Sequence, residues 1–213
     1  MKKIILFLLL SVSLNIYSQD KSFDFGIRTG GGLSFLVGNK SEISYGLTNG
    51  ISFAYNSPKT FFLQADLLIE RKTARHFVTF TNDIGNSIGV REVIGGGDII
   101  QLYIMPGYKT KGKTKLLLSG GIFGGIFFNS HETIFPSEHY PEKEVYNDPI
   151  KGVVFDFGIS ASIGVQHPIT EKLIFTIENR FNVSIENFMR GVHFDFANNN
   201  LMLGLAYRFS KNN

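Results

Sequence analysis

The chain contains no cysteine and no tryptophan, only 6 prolines, and comparatively little charge, with 18% Asp, Glu, Lys and Arg. Without cysteine there is no disulfide framework, no thiolate metal site, no cysteine nucleophile and no acylated lipoprotein cysteine. The charged fraction lies below the roughly 25% of an average soluble domain. Hydrophobic residues reach 43%, a balance that argues against extensive disorder. Neither sign of charge dominates, since 21 Lys and Arg face 18 Asp and Glu. Two of the basic residues, Lys2 and Lys3, stand at the extreme N-terminus, and without them no basic excess remains to attract nucleic acid. What the sequence does hold in quantity is 21 Phe and 23 Gly, a usage that favours strands and turns. A length of 213 residues suits one domain.

Lys2 and Lys3 precede an apolar run from Ile4 to Leu10, extended by Val12 and Leu14, and polar residues follow at Ser18 and Gln19. This is the pattern of a cleaved secretory signal over residues 1–19. The run is shorter than the about 20 apolar residues of a spanning helix, and no such stretch recurs. Residues 20–213 are therefore either an exported soluble domain or a membrane protein that crosses without helices.

Period-two alternation recurs eight times, with turn signals between the copies. In the clearest segment Phe61, Leu63, Ala65, Leu67 and Ile69 alternate with Phe62, Gln64, Asp66, Leu68 and Glu70. The other segments run over 23–36, 45–55, 99–110, 115–129, 152–167, 172–183 and 200–209. Tight connections at 56–59, 111–113 and 168–171 alternate with longer ones at 38–44, 75–97, 130–151 and 184–197. Short turns at one end and long loops at the other predict an all-β fold, an eight-stranded antiparallel up-and-down transmembrane β-barrel. The soluble competitor is a lipocalin-like calyx, which turns its apolar face inward around a small apolar ligand. The face opposite the apolar one is rich in glycine and carries both signs of charge, which suits a cramped lumen better than a solvated exterior. Asp24, Asp66, Glu70, Asp156 and Glu178 against Arg28, Arg180 and Arg208 are the expected lumen network. A proton or ion path is one reading of these charges, and a neutralised plug is the preferred one, because eight strands enclose a lumen just filled by side chains and an unpaired buried charge is costly.

The segment 131–150 holds Glu132, Glu138, Glu142, Glu144 and Asp148 against one Lys143. His131 and His139 add ligand types for a divalent cation, but the spacing matches no metal motif. Phe135, Tyr140 and Tyr146 make partner contact the more natural use of this loop. The glycine clusters at 30–32, 95–97 and 120–125 lack the strand-to-helix context of nucleotide sites and fit bulges and close strand packing. No Gly-x-Ser-x-Gly elbow is present, and His76 and His193 stand isolated. An enzyme with a site at the outer rim is the third class to be weighed. No catalytic, cofactor or metal site is expected.

At these residues the sequence resembles the PorT-like outer-membrane β-barrel family, small eight-stranded barrels of the OmpA and OmpX kind. The segment Phe62-Leu63-Gln64-Ala65-Asp66-Leu67-Leu68 is similar to the family's Gln-Pro-Glu-Leu strand, with Ala65 and Asp66 where Pro and Glu are usual. Tyr103-Ile104-Met105-Pro106-Gly107-Tyr108 is similar to its proline-containing fourth strand. Asp156-Phe157-Gly158 with Gly164, Glu178-Asn179-Arg180-Phe181 and Leu203-Gly204-Leu205-Ala206-Tyr207-Arg208-Phe209 resemble the last three strands in order. The tail Ser210-Lys211-Asn212-Asn213 is a departure, since it sets the final aromatic back from the chain end. The resemblance implies a Gram-negative outer-membrane location, contact with outer-membrane lipid and lipopolysaccharide, and insertion by the barrel-assembly machinery. It also implies a structural role, or an accessory role beside an envelope protein partner.

Overall fold

A computed structural model of the protein describes residues 21–37, 43–81, 87–137, 141–187 and 195–210. The signal segment expected over 1–19 lies outside the described residues. Eight strands follow in chain order: β1 (Ser22–Val37), β2 (Ser44–Asn56), β3 (Phe61–Thr81), β4 (Ser87–Lys109), β5 (Lys115–Ile134), β6 (Glu144–Pro168), β7 (Leu173–Asn187) and β8 (Asp195–Ser210). Each pairs antiparallel with the next, and β1 pairs with β8 from Ser22↔Ser210 to Val37↔Asp195, so the sheet closes into a barrel. Closure leaves no open edge over the part of the sheet that all eight strands share.

The alternation sorts side chains as the sequence pattern requires, with the apolar set outside. Phe25, Ile27, Leu67, Ile69, Leu102, Ile104, Ile163, Leu203 and Leu205 are all exposed on the outer surface. The intervening Asp24, Arg28, Gln64, Asp66, Tyr103, Ser162 and Met202 are buried inside. This arrangement is the reverse of a calyx, so the ligand-binding alternative is corrected by the direction in which the two faces point. Inward apolar side chains are interspersed with these polar ones, and Leu68, Tyr103, Met105, Phe123 and Met202 pack into one buried cluster.

Outward aromatics mark the short-turn end. Phe23 stands 5.4 Å from Tyr55, Phe61 meets Tyr108 edge-on at 6.3 Å, and Tyr207 contacts Phe209 at 4.8 Å. The Phe23↔Phe209 pairing joins the first and third of these pairs across the closing seam. The turns here are tight. Ser57 N donates to Phe61 O (3.0 Å), Thr110 N to Leu116 O (2.9 Å) and Ile169 N to Leu173 O (2.8 Å). Gly112, at φ +114°, takes a backbone conformation that a side chain would disfavour.

The opposite end departs from expectation. The segments 75–97 and 130–151 are largely strand: β3 and β4 stay paired out to Thr81↔Ser87, and β5 and β6 out to Ile134↔Glu144. With β4 and β5 paired as far as Val93↔Ile134, the four strands form one continuous sheet. They measure 21, 23, 20 and 25 residues, against 16, 13, 15 and 16 for β1, β2, β7 and β8.

Candidate functional site

Two places concentrate polar chemistry: the lumen and the outer part of the long strands. In the lumen, all eight charged residues expected from the sequence face inward, and the barrel gathers them into three groups. The central group is a closed ring of charge. Arg28 Nη1 donates to Glu178 Oε2 (2.5 Å), Arg180 Nε to Glu178 Oε1 (2.8 Å) and Arg180 Nη2 to Asp66 Oδ2 (2.5 Å). Arg28 Nε lies 3.6 Å from Asp66 Oδ1, completing the circuit. Gln64 bridges it, accepting from Arg28 (3.0 Å) and donating to Asp66 (2.6 Å). Two cations meet two carboxylates, and the Arg180 guanidinium also lies 4.8 Å from the centre of the Tyr103 ring, a favourable cation–π distance.

On the outer-sheet side, Lys72 Nζ donates to Asp156 Oδ2 (2.5 Å), which also accepts from Gln101 Nε2 (2.8 Å). Glu70 has no ion pair among the described residues. It accepts instead from Tyr103 Oη (3.0 Å) and Asn200 Nδ2 (3.2 Å), with Thr48 Oγ1 at 3.4 Å. Toward the short turns, Arg208 grips Asp24 with two bonds of 2.8 Å. Asn56 donates to the same carboxylate (2.8 Å) and accepts from Lys109 Nζ (2.6 Å). A cavity of about 30 Å³, lined in part by Arg28, Asn56, Gln64 and Thr176, has the size of a single water site.

Sequence reasoning missed Lys72, Gln64, Tyr103, Gln101 and Lys109 as members of this network. Phase alone marks the first two, since Lys72, Glu70, Asp66 and Gln64 fall on one face of β3. Tyr103, Gln101 and Lys109 share the inward phase of β4 in the same way. Their partners on other strands are not readable from a single strand, because Lys72 and Asp156 stand 84 positions apart and Lys109 and Asn56 stand 53 apart.

The second place begins where the outward apolar run stops, just past Ile69 and Ile100. Outward Arg71 grips Asp98 with bonds of 2.8 and 3.2 Å. His131 reaches Asp98 with one ring nitrogen and Asn147 with the other (2.6 Å). Burial pushes the Asp98 carboxyl up, but the hydrogen bonds and charges of Arg71 and His131 outweigh it and hold the group below the usual carboxylate range. Farther out, Arg91 donates to Glu144 (2.6 Å) and to the carbonyls of Phe135 (3.0 Å) and Glu142 (2.9 Å), tying β4 to the start of β6. The hydrogen bond from Tyr146 and that from Arg91 hold the Glu144 carboxyl below its ordinary range.

The expected contact loop is thus partly built into the sheet. Tyr146 lies on β6, exposed, with its hydroxyl donating to Glu144 (2.6 Å). Phe135 is half-buried, its backbone N donating to Glu92 O (2.8 Å), and Lys143 Nζ lies 5.2 Å from its ring centre. Tyr140 and His139 lie outside the described residues. Among the described residues no group of three His, Asp or Glu is placed to hold a metal.

No family model and no curated protein matches this sequence. Among solved structures, a major outer membrane protein from Thermus thermophilus is similar at 13% identity and TM-score 0.47, covering 87% of this chain and 99% of its own. OprG, an outer membrane protein from Pseudomonas aeruginosa, is similar at 12% identity and TM-score 0.45, covering 90% and 96%. Ail, the attachment invasion locus protein of Yersinia pestis solved with the heparin analogue sucrose octasulfate, is similar at 12% identity and TM-score 0.44, covering 89% and 98%.

Proposed function

We propose that this chain spans a Gram-negative outer membrane as a closed barrel with a filled lumen, and that its task is to display the outer part of β3–β6 to a protein partner. Membrane insertion is supported by the direction of the two faces. An outer surface of Phe, Leu and Ile over the shared part of the barrel is stable in lipid and unstable in water. A filled lumen is supported by the self-neutralising central ring and by a strand number whose interior is just wide enough for side chains to fill.

The observation that carries the display role is the difference in strand length. About 9 to 11 tilted residues cross a bilayer, so strands of 20 to 25 residues outrun it while their four neighbours stop near its surface. The projecting sheet has two free margins among the described residues. Beyond Thr73, β3 has no β2 strand opposite it, and before Asp156, β6 has no β7 strand opposite it. Unpaired strand margins are templates for an added strand. Exposed Phe77, Val145 and Tyr146 on the same sheet supply apolar contact. The PorT-like resemblance belongs to this proposal, with an envelope protein as the partner that takes the sheet.

Because the chain lacks cysteine, single cysteines give a clean test. Val145→Cys is expected to react with an impermeant maleimide on intact cells, and Lys111→Cys only after the outer membrane is opened. Labelling in the opposite order would invert the topology and remove the outer sheet from any external partner.

A further inference from the structure

We propose that the short-turn end of the barrel is a basic collar that holds anionic phospholipid head groups of the adjoining leaflet. The inference rests on the membrane-spanning reading and concerns the end opposite the displayed sheet. Each of the three described turns exposes lysine: Lys59 at 57–60, Lys111 and Lys113 at 110–114, and Lys172 at 169–172. Glu171 is the one acid in these turns. None of the four lysines forms an ion pair among the described residues.

The lumen mouth behind them adds to the excess. Inward Lys109 and Arg208 converge there with a single carboxylate, Asp24, whose two oxygens Arg208 already occupies. Lys109 is left with the Asn56 amide oxygen, and Lys115 stands nearby with no ion pair among the described residues. The whole chain carries a formal charge of only +3, two units of which are Lys2 and Lys3. The excess here is therefore a polarity along the barrel axis, set against acidic segments such as 131–150.

Depth and shape select a lipid surface over a protein. The lysines emerge at the aromatic girdle, where Lys172 Nζ lies 6.0 Å from the Tyr207 ring centre. Aromatic girdles sit at head-group level, and a lysine stem extends from there to carry its ammonium to a phosphate. The lysines are spread over all three turns, so they ring the barrel as lipid does, whereas a docked protein would call for charge on one side. Each lysine near an anionic surface adds attraction that salt screens.

The test compares spin-labelled phosphatidylglycerol with spin-labelled phosphatidylcholine at the surface of the full chain, reconstituted in phosphatidylcholine vesicles. The motionally restricted fraction of each label gives the relative association. We expect phosphatidylglycerol to be preferred about threefold at low ionic strength, with the preference lost near 1 M salt, where the screening length is about 3 Å. The quadruple variant Lys59→Gln, Lys111→Gln, Lys113→Gln, Lys172→Gln should keep the restricted fraction and lose the preference. Circular dichroism of the variant checks that the barrel has folded. Thr79→Lys, at the other end, should leave the preference unchanged. Equal association of both lipids with the wild type would overturn the inference and leave the collar to an acidic protein segment. A preference that survives in the folded quadruple variant would overturn it as well. The absence of any restricted component would instead mean that the protein does not sit in lipid, and both readings would fall.

Discussion

Arg180→Met is the perturbation that bears most directly on the lumen. Arg180 is completely buried and donates to both Glu178 and Asp66. Methionine keeps much of the length and loses the charge, so the central ring falls from two cations and two carboxylates to one cation and two carboxylates. Breaking a buried pair by removing one partner typically costs about 3–5 kcal/mol, most of it the desolvated charge left behind. Loss of the contact with Tyr103, 4.8 Å away, adds about 0.5–2 kcal/mol. Glu178 retains Arg28 at 2.5 Å, so the orphan is Asp66, left with Gln64 and the longer Arg28 contact. The second change follows from that: Arg180→Met with Asp66→Asn restores neutrality and should recover at least about 2 kcal/mol of the loss. Urea unfolding of the barrel in lipid vesicles measures both, and at 1.4 kcal/mol per factor of ten the single variant should shift the equilibrium about a hundredfold or more. A single variant within about 0.5 kcal/mol of wild type, or a double variant no better than the single, would show that water, and not the ion ring, satisfies these groups.

Leu203→Arg, on the outer face of β8, should sharply reduce membrane yield, because arginine at the bilayer midplane costs about 2–4 kcal/mol. Gly204→Ala should be nearly silent, since an added methyl would meet its nearest neighbours at 3.6 Å, whereas Gly158→Ala would press on Val183 O and on Phe123 Cζ at 2.7 Å and should impair folding. Equal yields for Leu203→Arg and wild type would mean that the faces are reversed. In planar bilayers the purified protein should show no large stable pore, and steady currents of nanosiemens scale would contradict a filled lumen. Asp98 has a lowered carboxyl value in the folded state, so its contribution is present at neutral pH and is lost as pH falls through that value. Protection factors of amides at the base of the outer sheet, taken against intrinsic exchange at each pH, should therefore fall in acid, and Asp98→Asn should remove that component. An unchanged acid profile in the variant would refute the assignment.

The barrel was legible because an apolar outer face and a polar inner face impose a strict period of two, as in Phe61 to Glu70. Strand ends were legible only where that constraint holds. Beyond Arg71 and Asp98 the outward apolar run ends, and sequences such as Thr73-Ala74-Arg75-His76 no longer alternate between apolar and polar, so a paired strand reads as a loop. Arg75 illustrates the difference: it stands in β3 with Glu92 at 2.7 Å, not in an open connection. Inward charge was legible by phase, as the eight residues show, but Lys72 was lost because Arg71 and Lys72 together resemble the start of a polar connection. Partners two residues apart on one strand, such as Glu178 and Arg180, follow from phase, but which arginine meets which carboxylate across the barrel depends on the register of strands far apart in sequence.

The proposed membrane placement sets the apolar face of each strand against lipid and the polar face against a closed lumen. Single spin labels at positions 61 to 70 of β3, one at a time in the cysteine-free background, test this in reconstituted vesicles through collision with oxygen, which concentrates in lipid, and with a water-soluble nickel complex. Labels replacing Phe61, Leu63, Leu67 and Ile69 should show high oxygen accessibility, rising and falling with a period of two. Labels replacing Gln64, Asp66 and Glu70 should be low to both reagents. Nickel accessibility at the positions of Leu67 and Ile69, or no alternation at all, would contradict this placement.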